Sequence, residues 1–156
     1  MRIRFTDMTE NDLPEVMKLE RETFTAPWSR RMFVEELERG FSSILLAWDG
    51  EDSLAGFINY WVLLGEAHIL NVAVRVGSRR MGVGRALVSE ALRRAKIEGA
   101  TAATLEVREK NAAAMRLYEK FGFERAGLRP GYYDKPVDNA VIMWLYDIDA
   151  ALIKTP

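Results

Sequence analysis

The stretch RVGSRRMGVGRALVSEALRRA, Arg75 to Ala95, decides how the rest of the chain is interpreted. Its first eleven residues hold three glycines and four arginines, and a run of good helix formers follows. A loop of this kind before a helix offers unpaired main-chain N–H groups near the positive end of the helix dipole. Gly82 and Gly84 lack side chains that would keep an anion away, and the arginines can add charge-assisted hydrogen bonds. The stretch predicts either a phosphate-binding loop or a surface turn with solvated arginines.

Two well-known phosphate-loop patterns do not fit this stretch. A P-loop has a lysine directly after its second glycine, but Val83 follows Gly82 here. A dinucleotide-binding fingerprint that starts at Gly82 needs a third glycine where Leu87 stands. The pattern that remains is R-x-x-G-x-G, from Arg79 to Gly84, between an apolar strand pattern and a helix.

The composition indicates one domain of balanced charge. The 156 residues are 49% hydrophobic, which is enough to bury a core, and the net charge is -1. This charge provides no general basic surface, so we expect neither nucleic acid nor a membrane as a partner. The lack of cysteine excludes a thiolate nucleophile and a disulfide framework, and the single His68 argues against a histidine-based metal site. A polar N-terminus and short apolar runs lead us to expect a soluble cytoplasmic protein.

Hydrophobic periodicity divides the chain into strand and helix patterns. Thr9 and Ser29 are the expected N-caps of helices over TENDLPEVMKLERETF and RRMFVEELER, with Asp12 at the capping-box position. Apolar runs predict strands at IRF, SSILLAW, LAGFINYWVLL, AHILNVAVR, TAATLEV and NAVIMWLYDI. Two further helices are expected, from about Gly82 to Glu98 and over NAAAMRLYEKFG.

The order of these elements predicts the fold class. Strand Ala67–Arg75, the following helix and strand Thr101–Val107 form a crossover that should be right-handed, with parallel strands. Hairpins on either side make the sheet mixed. We therefore expect a single α/β (α+β) domain over residues 1–156, with a twisted sheet of six to seven strands and about four helices.

Three polar residues in the second half of the chain are candidates for chemistry. Strand alternation puts Glu106 on the same face as Thr104 and Arg108, so it is either a functional carboxylate or a half-exposed partner of Arg108. Tyr118 and Asn111, seven positions apart, share one face of a predicted helix. Tyr118 is a functional phenol or a core aromatic, and Asn111 is also well suited to be an N-cap.

The ordered set NVAV…RRMGVGRALV, LEVREKNAAAMRLYEKFGF and GYYDKPVDNAVIMWL resembles the GNAT acetyltransferase superfamily. Within it, the chain is most similar to the bacterial ribosomal-protein-alanine N-acetyltransferases, the RimI type. The resemblance covers nearly the whole chain, including APWS near the start. It implies the GNAT fold, acetyl-coenzyme A as cosubstrate, and direct general-base-assisted attack by the N-terminal amine of a protein, a ribosomal protein that begins with alanine.

The resemblance also implies roles for individual residues. Glu106 matches the general base, and Tyr118 matches the group that protonates the departing thiolate. The pantetheine arm is expected to lie along the strand that contains Val72, whose N–H would polarise the thioester carbonyl. The residues implied to bind the cofactor are Val72, Ala73, Val74, Arg79, Arg80, Met81, Gly82, Val83, Gly84, Arg85 and Asn111.

The acceptor end of the predicted site is formed by aromatic residues. Trp28, Tyr132 and Tyr133 match the positions that hold the peptide N-terminus, although Trp28 also fits a core anchor. Because Pro130-Gly131 is typical of a turn, we expect the tyrosine pair on a loop.

The chain departs from the family pattern at three places. Arg79 stands where glutamine is usual, Gly131 where asparagine is common, and Asp138-Asn139 where an acidic pair is frequent. The last two departures bear on which acceptor is preferred. Two alternatives remain open: a lysine side chain or small amine as acceptor, or an acyl-coenzyme A-binding sensor without turnover.

Overall fold

Strands and helices alternate irregularly along residues 2–154, the part of the chain that the computed structural model describes. Within this part the strands are β1 (Ile3–Asp7), β2 (Ser42–Asp49), β3 (Ser53–Leu63), β4 (Glu66–Val74), β5 (Ala102–Arg108), β6 (Glu124–Asp134) and β7 (Val137–Leu145). The α-helices are α1 (Leu13–Thr23), α2 (Arg30–Glu38), α3 (Val83–Ile97), α4 (Ala112–Phe121) and α5 (Ile148–Lys154). Short 3-10 turns occur at Glu10–Asp12 and Val76–Ser78.

The strands form a mixed sheet in the order β1-β2-β3-β4-β5-β7-β6. The pairs β1/β2, β2/β3, β5/β7 and β6/β7 are antiparallel. β4 and β5 are parallel, with a register that runs from Glu66↔Ala102 to Ile69↔Leu105. The predicted parallel pair and the predicted mixed α/β fold class are therefore confirmed.

Three helix starts depend on side chains that the sequence analysis singled out. The Thr9 N–H donates to Asp12 Oδ2 over 2.9 Å, which is one arm of the predicted capping box. Ser29 Oγ accepts from the Met32 N–H at 3.3 Å and so caps α2. Asn111 Oδ1 accepts from Ala114 N–H at 3.1 Å and caps α4 in the same way.

The chain divides into two compact units. The first contains the residues up to Trp61 together with Asn71–Ala91, and the second contains Val62–Leu70 and the residues from Leu92 onward. In the first unit, Val16 and Leu46 are buried around Phe33 and Phe57, whose rings meet edge to face at 6.1 Å. In the second unit, the core is built from the buried faces of β5 and β7 and from α4.

Two elements were missing from the sequence prediction, and one prediction was wrong. The short helix α5 was not predicted, so the structure has one helix more than the expected four within residues 2–154. β6 was not predicted either, and the tyrosine pair at Tyr132 and Tyr133 lies on this strand rather than on a loop. Every residue of β6 except Tyr133 is exposed, so no period-two burial pattern exists for its sequence to encode.

Candidate active site

In the first unit, the second half of β4 is held very close to β3 and α3. A methyl group built at Gly56 of β3 would lie 2.5 Å from the carbonyl oxygen of Ala73 and 3.2 Å from Cγ1 of Val83. Glycine is required at this point because a closely packed interior has no room to move backbone atoms aside. Ala73 is buried, and Val72 and Val74 are half-buried. The strand implied for the pantetheine arm therefore has a position set by close packing.

Arg75 and Ser78 fix the loop that follows β4. The Arg75 N–H donates to the carbonyl oxygen of Ala55 over 2.8 Å. The Arg75 guanidinium donates to Ser53 Oγ and, over 2.9 Å, to the fully buried Ser78 Oγ. Arg75 is thus engaged in holding the loop against β3.

The backbone just before α3 has the shape of an anion-binding turn. Arg80 (φ +63°) and Gly82 (φ +82°) both lie in the left-handed region. Left-handed residues next to ordinary ones turn successive N–H groups toward one side. Ala86 N–H donates to the Gly82 carbonyl oxygen at 3.0 Å, so the N–H groups of the first turn before it have no acceptor within the helix. A Cβ at Gly82 would meet nothing within 4 Å, so glycine is favoured here for its conformation and not for space.

The other residues implied to bind the cofactor differ in how exposed their side chains are. Arg79 Nε donates to the carbonyl oxygen of Val74 over 3.3 Å, at the end of β4. Val83 is fully buried, so it can offer an anion only its main-chain N–H. Five implied residues have exposed side chains: Arg79, Arg80, Met81, Arg85 and Asn111.

Trp28 belongs to the core of the first unit and to a hydrogen-bonded cluster that the sequence analysis missed. Its ring packs against Phe33 with centroids 5.3 Å apart, so the core-anchor interpretation holds. The main-chain N–H of Trp28 donates to Glu20 Oε2 over 2.9 Å, and Glu20 Oε1 accepts from Asn71 Nδ2 over 3.0 Å. The available signal was the position of Glu20, four residues after Val16 on the apolar face of α1, where a charge is unusual.

In the second unit, β5 alternates as predicted, and Glu106 lies on its less buried face. The Glu106 side chain is 21% exposed, and its Oε1 lies 3.9 Å from an Arg129 guanidinium nitrogen. The predicted alternative partner, Arg108, instead donates to the Pro136 carbonyl oxygen over 2.8 Å, and its guanidinium lies 4.3 Å from the ring centre of Tyr133.

Three tyrosines of the second unit, Tyr118, Tyr132 and Tyr133, have raised pKa values. Burial raises the pKa of Tyr118 above its ordinary value, and the nearby Tyr133 adds to this shift. Hydrogen bonding to Glu106 raises the pKa of Tyr132, and burial raises the pKa of Tyr133. All three phenols therefore remain proton donors at neutral pH. The Tyr118 ring is buried and meets Phe123 edge to face at 5.7 Å.

The residues at two of the departures from the family pattern contact each other. Asn139 Oδ1 accepts from the Gly131 N–H over 2.9 Å, and Gly131 has φ +62°. The buried Asp138 accepts from the N–H groups of Asn139 and Lys110, at 2.8 and 3.2 Å. Asn139 Nδ2 donates to Glu109 Oε1 over 3.1 Å. The departures thus form one clamp that holds the strand segment just before the tyrosine pair.

Residues 2–154 lack two kinds of feature. In this part of the chain, no group of three or more histidine, cysteine, aspartate or glutamate side chains could hold a metal ion. No helix over the same range is long and apolar enough to cross a bilayer.

Comparison with known proteins gives the family. Residues 13–123 match the acetyltransferase (GNAT) family. The chain belongs to the GNAT acetyltransferase family. As a member of it, the protein uses acetyl-coenzyme A as acetyl donor, which confirms the predicted enzyme class and cosubstrate.

Individual relatives cover most of the GNAT chain. It is 34% identical to the ribosomal protein bS18-alanine N-acetyltransferase of Salmonella typhimurium over 140 residues, 88% of this chain and 93% of that protein. It is 33% identical to the protein of the same name from Escherichia coli strain K12, over 90% of this chain and 95% of that one.

Solved structures confirm the fold. The crystal structure of the ribosomal-protein-S18-alanine N-acetyltransferase from Escherichia coli matches with a TM-score of 0.85 and 31% identity, over 92% of this chain and 93% of that one. Ard1 from Thermoplasma volcanium also has a TM-score of 0.85, with 28% identity and coverage of 93% and 97%.

Proposed function

We propose that this acetyltransferase moves the acetyl group of acetyl-coenzyme A to the N-terminal α-amine of alanine on ribosomal protein bS18, in the cytoplasm. The observation that carries the proposal is the Glu106 carboxylate. It lies on the partly exposed face of β5 and interacts with Arg129 and Tyr132. The names of relatives at 33–34% identity supply the acceptor.

The cofactor is proposed to bind through main-chain groups. The N–H groups between Arg80 and Arg85 would hold the pyrophosphate, with the exposed arginines adding charge. The left-handed Arg80 and Gly82 support this role. Val72, Ala73 and Val74 would pair with the pantetheine amides, the Val72 N–H would polarise the thioester carbonyl, and Asn111 would contact the cofactor while it caps α4.

The general base has to remove only one proton, from an amine whose pKa is close to neutral. An α-amine with a pKa of about 7.7–8.0 is roughly one quarter neutral at about pH 7.4, whereas an ordinary lysine is only about one thousandth neutral. The neutral amine would attack the thioester carbon, and Glu106 would take the proton of the resulting ammonium through a water molecule. The C–S bond then breaks, and Tyr118 would donate its proton to the coenzyme A thiolate. The Tyr118 phenol is protonated at neutral pH, as this role requires, and its raised pKa makes it a weaker acid than an ordinary tyrosine.

The acceptor is proposed to contact Trp28, Tyr132 and Tyr133. The exposed ring of Tyr132 supports this, since it offers apolar and hydrogen-bonding surface together. Tyr133 is more constrained, because Arg108 covers its ring.

A panel of acceptors tests the function. Wild type is incubated with acetyl-coenzyme A and with peptides that begin with the alanine of bS18, with other N-termini, or with a blocked N-terminus and an internal lysine. Mass spectrometry should find acetyl groups on the α-amine of the alanine peptide. Modification confined to lysine would show a different acceptor class, and cofactor binding without any product would favour a sensor.

A further inference from the structure

A buried carboxylate in the first unit has no role in the chemistry proposed above. Glu20 of α1 is 1% exposed, although a buried charge costs free energy unless it is well hydrogen-bonded. Burial raises the pKa of Glu20, while the bonds from Trp28 and Asn71 act in the opposite direction. Such a group is retained at some cost to stability, which calls for a reason.

The two oxygens of Glu20 bind two different segments of the first unit. Oε2 accepts from the main-chain N–H of Trp28, in the connection between α1 and α2. Oε1 accepts from the side chain of Asn71, which is 51 positions away from Glu20 in the sequence. Asn71 directly precedes Val72 on β4. The Glu20 carboxylate therefore links two segments. One contains Trp28, which is proposed to contact the acceptor, and the other is β4, where the N–H of Val72 is proposed to polarise the thioester carbonyl.

We propose that Glu20 is a positioning residue for acetyl transfer: by bridging Trp28 and Asn71, it sets the distance between the acceptor-binding segment and the thioester-polarising N–H of Val72. This inference rests on the proposed function. The inference requires that residue 20 form hydrogen bonds with both Trp28 and Asn71, and it does not require a negative charge there. Glutamine can meet the requirement, because its oxygen can accept from Trp28 N–H while the Asn71 amide turns to present its own oxygen.

Methionine and glutamine at position 20 separate positioning from a merely structural role. Glu20→Met removes both hydrogen-bond acceptors at similar volume and leaves the Trp28 N–H and the Asn71 amide without their partner, so its Tm should fall by several degrees. At a temperature where it is fully folded, we expect Glu20→Met to keep its Kd for acetyl-coenzyme A and to lose about 10- to 100-fold in kcat/KM for the alanine peptide. Glu20→Gln should stay within about threefold of wild type.

Three outcomes would overturn the inference. One is a Glu20→Met variant with wild-type kcat/KM. Another is a Glu20→Gln variant as impaired as Glu20→Met, because the charge and not the geometry would then matter. The third is a loss of rate that merely follows a loss of folded, cofactor-binding protein, as a structural role would give.

Two further measurements keep the test decisive. If Glu20→Met does not fold, Asn71→Leu breaks only the Oε1 bond and must lower kcat/KM by itself; an unchanged value would refute the bridge. Hydrogen exchange at the main-chain N–H of Trp28 can be measured without any acetyl-acceptor substrate. Its rate should increase in Glu20→Met and should not change in Glu20→Gln. If wild type acetylates no N-terminus while this exchange pattern holds, the proposed function has failed and the bridge has not.

Discussion

The segment from Val72 to Arg85, proposed to bind the cofactor, and the cluster around Glu106, proposed to contain the base, offer different parts of the polypeptide. The first works with main-chain groups: two residues in the left-handed region, the start of a helix and a glycine packed against a carbonyl oxygen. The second works with side chains: a carboxylate, a guanidinium and three phenols of raised pKa. A diphosphate can be recognised by N–H groups alone, but moving a proton requires a titratable side chain. Substitutions should therefore affect the two regions in different ways.

The largest expected effect is in the side-chain cluster. Glu106→Gln keeps the shape of the side chain but removes its basicity, so kcat should fall by about 10²- to 10⁴-fold. The Kd for acetyl-coenzyme A should not change. Steady-state kinetics and calorimetry measure the two quantities, and Glu124→Gln, on exposed β6, is the matched control. A kcat within about twofold of wild type would show that Glu106 is not the base.

In the segment from Val72 to Arg85, a substitution should change the affinity for acetyl-coenzyme A. Gly82 has φ +82° with open space around its Cα, so Gly82→Ala introduces conformational strain of about 1–2 kcal/mol without a clash. If the loop relaxes out of this conformation, the Kd for acetyl-coenzyme A rises about tenfold for each 1.4 kcal/mol. Calorimetry measures the change. Gly77→Ala is the control, since Gly77 has equally open space and no positive φ. Equal affinities of the two variants would remove the phosphate assignment.

A smaller effect, on stability, is expected where β3 supports β4. A Cβ at Gly56 would lie 2.5 Å from the Ala73 carbonyl oxygen, so Gly56→Ala forces the strands to move. Overpacking of this kind costs about 1–3 kcal/mol. Thermal unfolding should show it as roughly 2–4 °C in Tm for each kcal/mol. Gly40→Ala meets nothing within 4 Å and should leave Tm unchanged; a similar Tm for both variants would contradict the close packing.

The smallest effect concerns alkaline pH. Because the pKa of Tyr118 is raised in the folded state, the unfolded chain releases this proton first as the pH rises past about 10. The free energy of unfolding therefore decreases as pH increases through this range. Tyr118→Phe removes this contribution, so its stability should fall less than that of wild type between about pH 9 and about pH 11 in denaturant titrations. The control is Tyr146→Phe, which removes an exposed phenol. Parallel curves for wild type and Tyr118→Phe would contradict the shift.

The sequence by itself determined the elements whose signals are local. The caps at Ser29 and Asn111 depend on a side chain and an N–H three residues later, so both could be predicted. The alternation of β5, which leaves Glu106 on its less buried face, follows from the period of two along a strand. At position 82 the sequence predicted only a glycine without a side chain in the way of an anion; its left-handed backbone, which favours glycine, is a finding of the structure.

Only the tertiary structure decided the features that join distant parts of the chain. β6 exists because β7 pairs with it, and its exposed sequence, with Pro130 and Gly131, carries no strand pattern of its own. The partner of Glu106 is Arg129 and not the nearby Arg108, since partners on a sheet are set by register and side-chain reach. The bridge from Glu20 to Asn71 spans 51 positions. Local propensity acts over a few residues, whereas a buried charge finds its partners only once packing has brought distant segments together.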